Sequence, residues 1–323
     1  MNVAIITRAT YRSPRFLAEG LSNMLKKIGV KSTIYYQGLE QLELKNTTGS
    51  GLKIAAKSAL AKYKIRQWQK YDALIVSDTV GILAHNQLIA TLRQFNKPVF
   101  LYEVFYPGGA QYWMDRLPTG ALDLFDAYLT TSPINDITPK PTKPVYSIGI
   151  NLDSDRVMDN KNSEFTALMD FPRAGYETER SLQIRALNDL NIKTITMDGE
   201  YSFDEISSIY SQSNIYFLAF PEAFGVPIAQ LQNKGSYIAS PKPDWVKRHA
   251  LTSNQSTNSN ISKTSFSSNF LFYDSYSELL DLLKKTRETY SSKEVIKRFT
   301  DIQPIYKYGD LKELKLALRN HIQ

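Results

Sequence analysis

The sequence contains no cysteine and only three histidines among its 323 residues. Without cysteine, disulfide bonds, cysteine-ligated metals and a cysteine nucleophile are excluded. His85, His249 and His321 are too scattered for a histidine-based zinc site. No run of 18 apolar residues is present, so we expect no transmembrane helix. The opening MNVAIITRATYRSPRF places apolar residues before basic ones, the reverse of a signal peptide, and indicates a cytoplasmic globular protein.

Positive charge is in excess and is concentrated in one segment of the chain. The net charge is +7, and such an excess either aids solubility or attracts an anionic partner. The segment from Ser50 to Lys70 contains six basic residues and no acidic one. Its apolar residues have loosely helical spacing, which predicts a basic amphipathic helix. Two interpretations stay open: a solvated helix, or contact of residues 53–70 with anionic phospholipid or nucleic-acid phosphate.

Short apolar runs alternate with amphipathic segments along the whole chain. After the first strand, NVAIIT, the turn TRATYRSP lacks the G-x-G-x-x-G pattern of dinucleotide-binding oxidoreductases. The first half predicts the strands NVAIIT, STIYY, DALIVSD, PVFLYE, AYLTTS and PVYSIGI, with helices from Pro14 and over Gln87–Phe95. The second half predicts the strands FTALMDF, KTITMDG, NIYFLAF and SYIASP, with helices near Glu177–Asp189, Asp204–Ser213, Pro227–Asn233, Tyr276–Tyr290 and Leu311–His321.

This alternation predicts an α/β protein with two Rossmann-like doubly wound domains facing a central cleft. We expect an N-terminal domain over residues 1–150 and a second over residues 151–308. Residues 309–323 should form a C-terminal helix that packs back toward the first domain. Open α/β sheets bind ligands beyond the carboxyl ends of their strands, so those ends are where functional residues are expected.

The most informative segment is PEAFGVPIAQLQNKGSYIASP, from Pro221 to Pro241. A strand leads into a turn containing Gly225, and a helix then begins with proline. The amides at such a helix start suit a diphosphate, and glycine lets the backbone approach it closely. Glu222 is placed to accept hydrogen bonds from sugar hydroxyls, and Gln230 is placed to reach a ribose. The alternative is a routine strand–turn–helix in which Gly225 is only a turn glycine.

The same segment resembles the donor-binding signature of glycosyltransferases with the two-domain GT-B fold. In that family a Glu, a Phe-Gly pair and a second Glu eight residues after the first bind the sugar nucleotide. Glu222, Phe224 and Gly225 fit this pattern, with Val226 beside them, while Gln230 replaces the second acid. The resemblance covers residues 165–241 well and the N-terminal half in outline. It implies an N-terminal acceptor domain and a C-terminal nucleotide-sugar domain.

The resemblance also implies how the donor is held. Relatives neutralise the diphosphate with a basic pair after the first strand of the second domain, where this sequence offers Arg173 and Arg180. Arg180 has the alternative of being a solvated helix cation. The loop containing Gly199 lies where relatives contact the nucleobase. No metal site is expected, because the one DSD sequence, Asp153–Asp155, lies in the linker. The resemblance implies a nucleotide-diphosphate sugar as the donor and no further cofactor.

The N-terminal half should supply a base and the acceptor site. Retaining relatives carry a histidine after the fourth strand, but Glu103 stands there and predicts an inverting displacement. The alternative is that Glu103 only pairs with a nearby cation. T-even phage DNA β-glucosyltransferases are similar here. They have an acidic base at this strand end and share the sequence GINLD, which is Gly149–Asp153 in this chain. Asp78 is the reserve base. We expect Tyr102, Tyr106 and Trp113 to contact the acceptor, or else to anchor loops in the core.

The sequence therefore favours a cytoplasmic enzyme, peripheral to the inner membrane, that transfers a sugar to a hydroxyl of a glycan or lipid-linked acceptor. Surface polysaccharide biosynthesis is the expected process, with metal-independent chemistry. One alternative is a phage-type enzyme that glycosylates hydroxymethylated DNA bases. A second alternative is a catalytically degenerate nucleotide-sugar-binding protein, which the missing histidine and Gln230 suggest.

Overall fold

The computed structural model of the protein describes residues 1–7, 12–36, 66–77, 96–103, 122–132, 141–153, 164–222, 224–251 and 261–322. Contacts between Cα atoms divide the chain into two compact units. Unit 1 comprises Met1–Asn151 and Tyr308–Gln323, and unit 2 comprises Leu152–Lys307. The chain therefore passes from unit 1 into unit 2 and returns to unit 1 for its last helix.

Unit 1 is built on a parallel sheet whose strands lie in the order β2-β1-β3-β4-β5-β6. Its first strand lies inside the sheet, with Ile5 paired to Ile34 on one side and Ile75 on the other. Strands covered on both faces need continuous apolar runs, which this sequence supplies. The strands are β1 (Asn2–Thr7), β2 (Lys31–Tyr36), β3 (Ala73–Ser77), β4 (Val99–Glu103), β5 (Ala127–Thr130) and β6 (Val145–Ser147).

The helix α1 (Arg12–Lys27) joins the first two strands. Leu17, Leu21 and Met24 are spaced to lie on one face of this helix and are buried. Two lysines occupy its last turn, where positive charge stabilises the helix dipole. Gly29 follows with φ of 79°, the left-handed conformation that commonly ends a helix. Short 3₁₀ helices occur at Gln67–Lys70 and Leu122–Leu124.

Unit 2 contains a second parallel sheet in the order β11-β10-β9-β7-β8. Its two faces are covered by separate hydrophobic clusters, as in a doubly wound fold. The strands are β7 (Thr166–Met169), β8 (Lys193–Thr196), β9 (Ile215–Phe217), β10 (Tyr237–Ser240) and β11 (Phe270–Phe272). The helices are α2 (Glu177–Asp189), α3 (Phe203–Gln212), α4 (Val226–Asn233), α5 (Tyr276–Thr289), α6 (Ser292–Ile302) and α7 (Pro304–Lys307), with 3₁₀ helices at Pro243–His249 and Lys263–Ser265.

The last helix, α8 (Leu311–His321), belongs to unit 1. Asp310 caps its start by accepting hydrogen bonds from the next amides. The His321 ring packs edge-on against Phe100, with 5.5 Å between centroids. At Gly309, φ is 73° and a Cβ would collide with Sδ of Met24, so this position before α8 strongly favours glycine.

The predicted α/β fold with two parallel sheets is confirmed. The sequence analysis did not predict β11, α6, α7 or the 3₁₀ helix at Pro243–His249. The predicted helix over Gln87–Phe95 and most of the basic segment lie outside the described residues. Trp68 of that segment is buried and packs edge-on against Tyr35, so it is not available to a membrane. Among the described residues, no helix combines the length and apolar character needed to cross a membrane.

Candidate functional site

The turn between β9 and α4 has a backbone that requires glycine. Gly225 is the N-cap of α4, with φ of 72° and ψ of 78°. A Cβ at this position would lie 2.6 Å from Cδ1 of Ile228 and 3.3 Å from Cβ of Glu222. Pro227 stands in the first turn, where its fixed φ suits the helix. A side chain at position 225 would therefore be strained, and the turn before α4 favours glycine there.

A second segment, the 3₁₀ helix Pro243–His249, contacts this turn through hydrogen bonds and ring stacking. The amide of Glu222 donates to the carbonyl oxygen of Trp245 at 2.9 Å. Nε2 of His249 lies 2.6 Å from the carbonyl oxygen of Phe224, and the two rings stack with centroids 4.9 Å apart. The Phe224 and Val226 side chains are buried. These two predicted donor-binding residues can therefore offer a ligand only their main chain.

Two carboxyl groups lie at the carboxyl ends of β7 and β9. Asp170 follows β7 and is buried, with Oδ1 accepting the amide of Phe171 at 2.8 Å. Burial raises the pKa of Asp170, although nearby donors and arginines oppose the change. Burial, followed by the charge of Asp170, raises the pKa of Glu222 to about 7, and Arg173 acts against this. Near neutral pH, Glu222 can therefore donate as well as accept hydrogen bonds.

The two predicted arginines have different surroundings. Arg173 is exposed, and its guanidinium carbon lies 4.6 Å from the centroid of the Phe220 ring. Arg180 is half-buried and donates to the carbonyl oxygen of Asp170. Burial lowers the pKa of Arg180, while Asp170 and Asp198 oppose the change. Arg180 thus braces the end of β7, and Arg173 presents its charge to solvent. In the described part of the chain, no cluster of carboxylates and histidines could hold a metal ion.

Two further predicted donor-binding residues, Gly199 and Gln230, come after β8 and β9 in the sequence. Gly199 follows β8 and is exposed, and a Cβ there would make ordinary contacts with Tyr201. The Tyr201 hydroxyl donates to Oδ1 of Asp198 at 3.2 Å, and its ring lies 6.2 Å from that of Phe171. Gln230 is half-buried in the second turn of α4. The loop after β8 is therefore held by an aromatic pair.

In unit 1, Glu103 is the last residue of β4 and is half-buried. It pairs in register with Thr130 of β5, and its carbonyl oxygen accepts the amide of Thr131 at 3.2 Å. The neighbouring strands β1 and β3 end in Thr7 and Ser77, joined by a 2.9 Å hydrogen bond from Thr7 Oγ1 to the Ser77 carbonyl. In the described residues, the last residues of β1, β3 and β5, the strands nearest Glu103 in this sheet, all carry hydroxyl groups.

The structure corrects the acceptor-binding prediction for Tyr102. Its side chain is 0% exposed, and its hydroxyl donates to the carbonyl oxygen of Gly149 at 2.7 Å. Burial raises the pKa of this hydroxyl. A ring enclosed in the core cannot stack on an acceptor, so Tyr102 has a structural role. Tyr106, Trp113 and the reserve base Asp78 lie outside the described residues.

The sequence analysis missed three residues that shape the unit 2 site: Asp170, Trp245 and His249. Asp170 could have been found, because it directly follows a buried strand and strand ends are where ligands bind. Trp245 and His249 carry no local signal, since their contacts with the turn span more than 20 residues of sequence.

No protein-family model matches the chain, and no curated protein matches it in sequence. Solved structures do. An α-glucosyltransferase in complex with UDP matches with a TM-score of 0.62 and 11% identity over 100% of both chains. HepE from Anabaena, in complex with UDP and glucose, matches with a TM-score of 0.51 and 10% sequence identity over 99% of both chains. The catalytic domain of starch synthase IV from Arabidopsis thaliana, bound to ADP and acarbose, matches with 0.51 and 9% over 99% of this chain and 98% of that one. With its two parallel sheets, the chain has the GT-B fold.

Proposed function

We propose that the protein is a glycosyltransferase that takes its sugar from a nucleotide-diphosphate donor bound in unit 2. Structures that share its fold hold UDP, UDP with glucose, or ADP with acarbose. The observation that carries the proposal is the turn Glu222–Gly225, which leads into the start of α4 with Gly225 in the left-handed conformation. This turn combines a close backbone approach, helix amides and a carboxyl group.

The diphosphate is assigned to the start of α4 and to Arg173. The first amides of a helix lack internal partners and carry partial positive charge, which favours a phosphate. The Arg173 guanidinium is exposed and acts electrostatically on Glu222, so it lies near the same turn. Negative charge on the diphosphate grows as the sugar leaves, and a nearby guanidinium stabilises that change.

The remaining donor contacts follow from position. Glu222 is proposed to bind sugar hydroxyls, since a carboxyl group with a pKa of about 7 can donate to one hydroxyl and accept from another. Gln230 is proposed to bond a ribose hydroxyl, and the loop at Gly199 to contact the nucleobase. Arg180 is proposed to support the site through the carbonyl of Asp170.

The experiment is a thermal-shift panel of UDP-, GDP-, TDP- and CMP-sugars with the wild type, Arg173→Gln and Arg185→Gln. A ligand present at about 100 times its dissociation constant stabilises the native state by about 2.7 kcal/mol. Arg185 is a matched control, because it is also exposed and lies over an aromatic ring, with 4.5 Å to the Tyr276 centroid. We expect one nucleotide diphosphate sugar to raise the melting temperature of the wild type and of Arg185→Gln, and to lose most of this effect with Arg173→Gln. A wild type that no nucleotide sugar stabilises would overturn the proposal.

For the chemical step we propose that Glu103 is the base. Its carboxylate takes the proton of an acceptor hydroxyl, the oxygen attacks the anomeric carbon, and the bond to the diphosphate breaks with inversion. We propose that no divalent metal ion is required, because the helix start and Arg173 meet the phosphate charge. Transfer that stops in EDTA and returns with Mg²⁺ would contradict this part.

The acceptor is proposed to be a glycan or lipid-linked hydroxyl in surface polysaccharide synthesis, with residues 53–70 contacting an anionic membrane. A DNA base is the alternative acceptor. Binding of the full chain to anionic vesicles supports the first acceptor, whereas duplex DNA binding that weakens steeply with salt supports the second. Donor hydrolysis by the wild type that Glu103→Gln abolishes would exclude a degenerate sugar-nucleotide binder.

A further inference from the structure

The geometry points to His249 as a positioning residue for the donor, one that orients the Phe224–Gly225 peptide at the start of α4. This inference rests on the proposed function, because it assigns a role in donor binding. No role is given to His249 by the sequence pattern of the turn, from which it is 25 residues distant.

His249 makes a short and directional contact. Its Nε2 lies 2.6 Å from the carbonyl oxygen of Phe224. A carbonyl oxygen only accepts, so Nε2 must carry the proton. Burial lowers the pKa of the imidazole to about 4, which keeps the ring neutral at physiological pH. A neutral ring with its proton on Nε2 is a donor with a fixed direction.

The imidazole is enclosed on several sides and cannot readily turn away. It is 0% exposed and stacks on the Phe224 ring at an interplanar angle of 21°. Tyr306 packs against both rings, with centroids 5.1 Å from Phe224 and 5.5 Å from His249. The His249 main chain is held as well, because Nε2 of Gln303 donates to its carbonyl oxygen at 3.0 Å.

Fixing this carbonyl also fixes the amide that follows. A trans peptide is planar, so the N–H of Gly225 points opposite to the C=O of Phe224. The carbonyl points to buried His249, and the Gly225 amide is therefore turned away from that part of the core. Glycine with positive φ has few barriers to other conformations, so the sequence alone leaves this peptide free to rotate. His249 selects the rotation in which the amide is available to a phosphate.

Two substitutions separate the hydrogen bond from the packing. In His249→Phe the aromatic ring stays and the donor is lost. In His249→Gln the ring is lost, but the amide nitrogen lies the same number of bonds from Cα as Nε2 and can still donate. The measurement is the dissociation constant of UDP by calorimetry, at pH 8 and well below the melting temperature of each variant.

We expect His249→Phe to weaken UDP binding at least tenfold and His249→Gln to stay within threefold of the wild type. Lower melting temperatures with unchanged affinity in both variants would show that His249 only packs, and equal losses in both would show that the ring rather than the donor matters. Either result overturns the inference while leaving the proposed function intact. A wild type that binds no nucleoside diphosphate defeats the proposed function itself.

A second measurement covers the case in which His249→Phe does not fold. The ¹⁵N chemical shifts of His249 in the wild type report which ring nitrogen carries the proton. A neutral ring protonated at Nε2, both with and without UDP, is expected. A ring protonated at Nδ1 could not donate to Phe224 and would overturn the inference.

Discussion

The carboxyl edges of the two sheets are built from different chemistry. In unit 2 the edge collects ionisable groups partly removed from water, with Asp170 and Glu222 beside Arg180. In the part of unit 1 that the structure describes, β1 and β3 end in the hydroxyl residues Thr7 and Ser77, and β4 ends in Glu103. Among the described residues, the two parallel sheets thus end in different side-chain chemistry.

The difference shows what each edge is suited to bind. Burying an ionisable group costs free energy unless it is hydrogen-bonded or paired with an opposite charge. Such groups therefore cluster at sites that bind charged ligands or catalyse reactions. The unit 2 edge fits a charged leaving group under the proposed function. Under the same proposal, the unit 1 edge supplies Glu103 as the base for a neutral hydroxyl. Three predictions concern residues at these two sheet edges, beginning with the largest expected effect.

Glu103→Gln should lower the rate of sugar transfer by about 10²–10⁴-fold, because the amide cannot accept the acceptor proton. The UDP dissociation constant should stay within twofold, since the donor is proposed to bind in unit 2. Single-turnover rates and calorimetry measure the two quantities. Glu19→Gln is the control, as Glu19 pairs with Arg15 on α1 and should leave both values unchanged. Loss of donor affinity in Glu103→Gln would break the division between the units.

Gly225→Ala should reduce the free energy of unfolding by about 2–5 kcal/mol. A left-handed conformation costs a non-glycine residue about 1–2 kcal/mol, and crowding against Ile228 adds about 1–3 kcal/mol. Gly175→Ala is the matched control, since its φ is 89° but a Cβ there meets nothing within 4 Å. It should lose about 1 kcal/mol. Urea denaturation measures both, and equal losses would show that the turn before α4 tolerates a side chain.

Local signals were enough to predict much of the fold. The bounds of α2 and α8 follow from their apolar spacing, and α4 begins one residue before the proline that marked it. In contrast, β11 has three residues and follows a polar stretch, so periodicity had little to act on. Tyr102 was misplaced because β4 is covered on both faces, and its sequence therefore has no polar side to show which residues face a ligand.

The site divides in the same way. Glu222 and Gly225 could be predicted because a strand, a turn glycine and a proline at a helix start are adjacent in sequence. The hydrogen bonds from Glu222 to Trp245 and from His249 to Phe224 could not, since they depend on how the chain returns after β10. The raised pKa of Glu222 was also beyond local reasoning, because burial is its main cause and the charge of Asp170 comes from another strand.

The smallest effect concerns Glu222 and depends on pH. In the folded protein the pKa of Glu222 is raised to about 7 from an ordinary value of 4.5. Between these values the unfolded chain ionises while the folded protein keeps its proton. This group's contribution to stability therefore falls as pH rises from 4.5 to 7 and is constant above that. Glu222→Gln removes the ionisation, so it should gain about 1–3 kcal/mol relative to the wild type across this window.

Urea denaturation of both proteins at pH 4.5, 5.5, 6.5 and 8 measures the difference. Exposed Glu200, in the loop after β8, supplies the control Glu200→Gln, whose difference from the wild type should not follow the same course. A Glu222→Gln difference that stays flat with pH would mean that Glu222 is ionised and well solvated in the folded protein. Of the two buried carboxyl groups at the unit 2 edge, only Asp170 would then have a raised pKa.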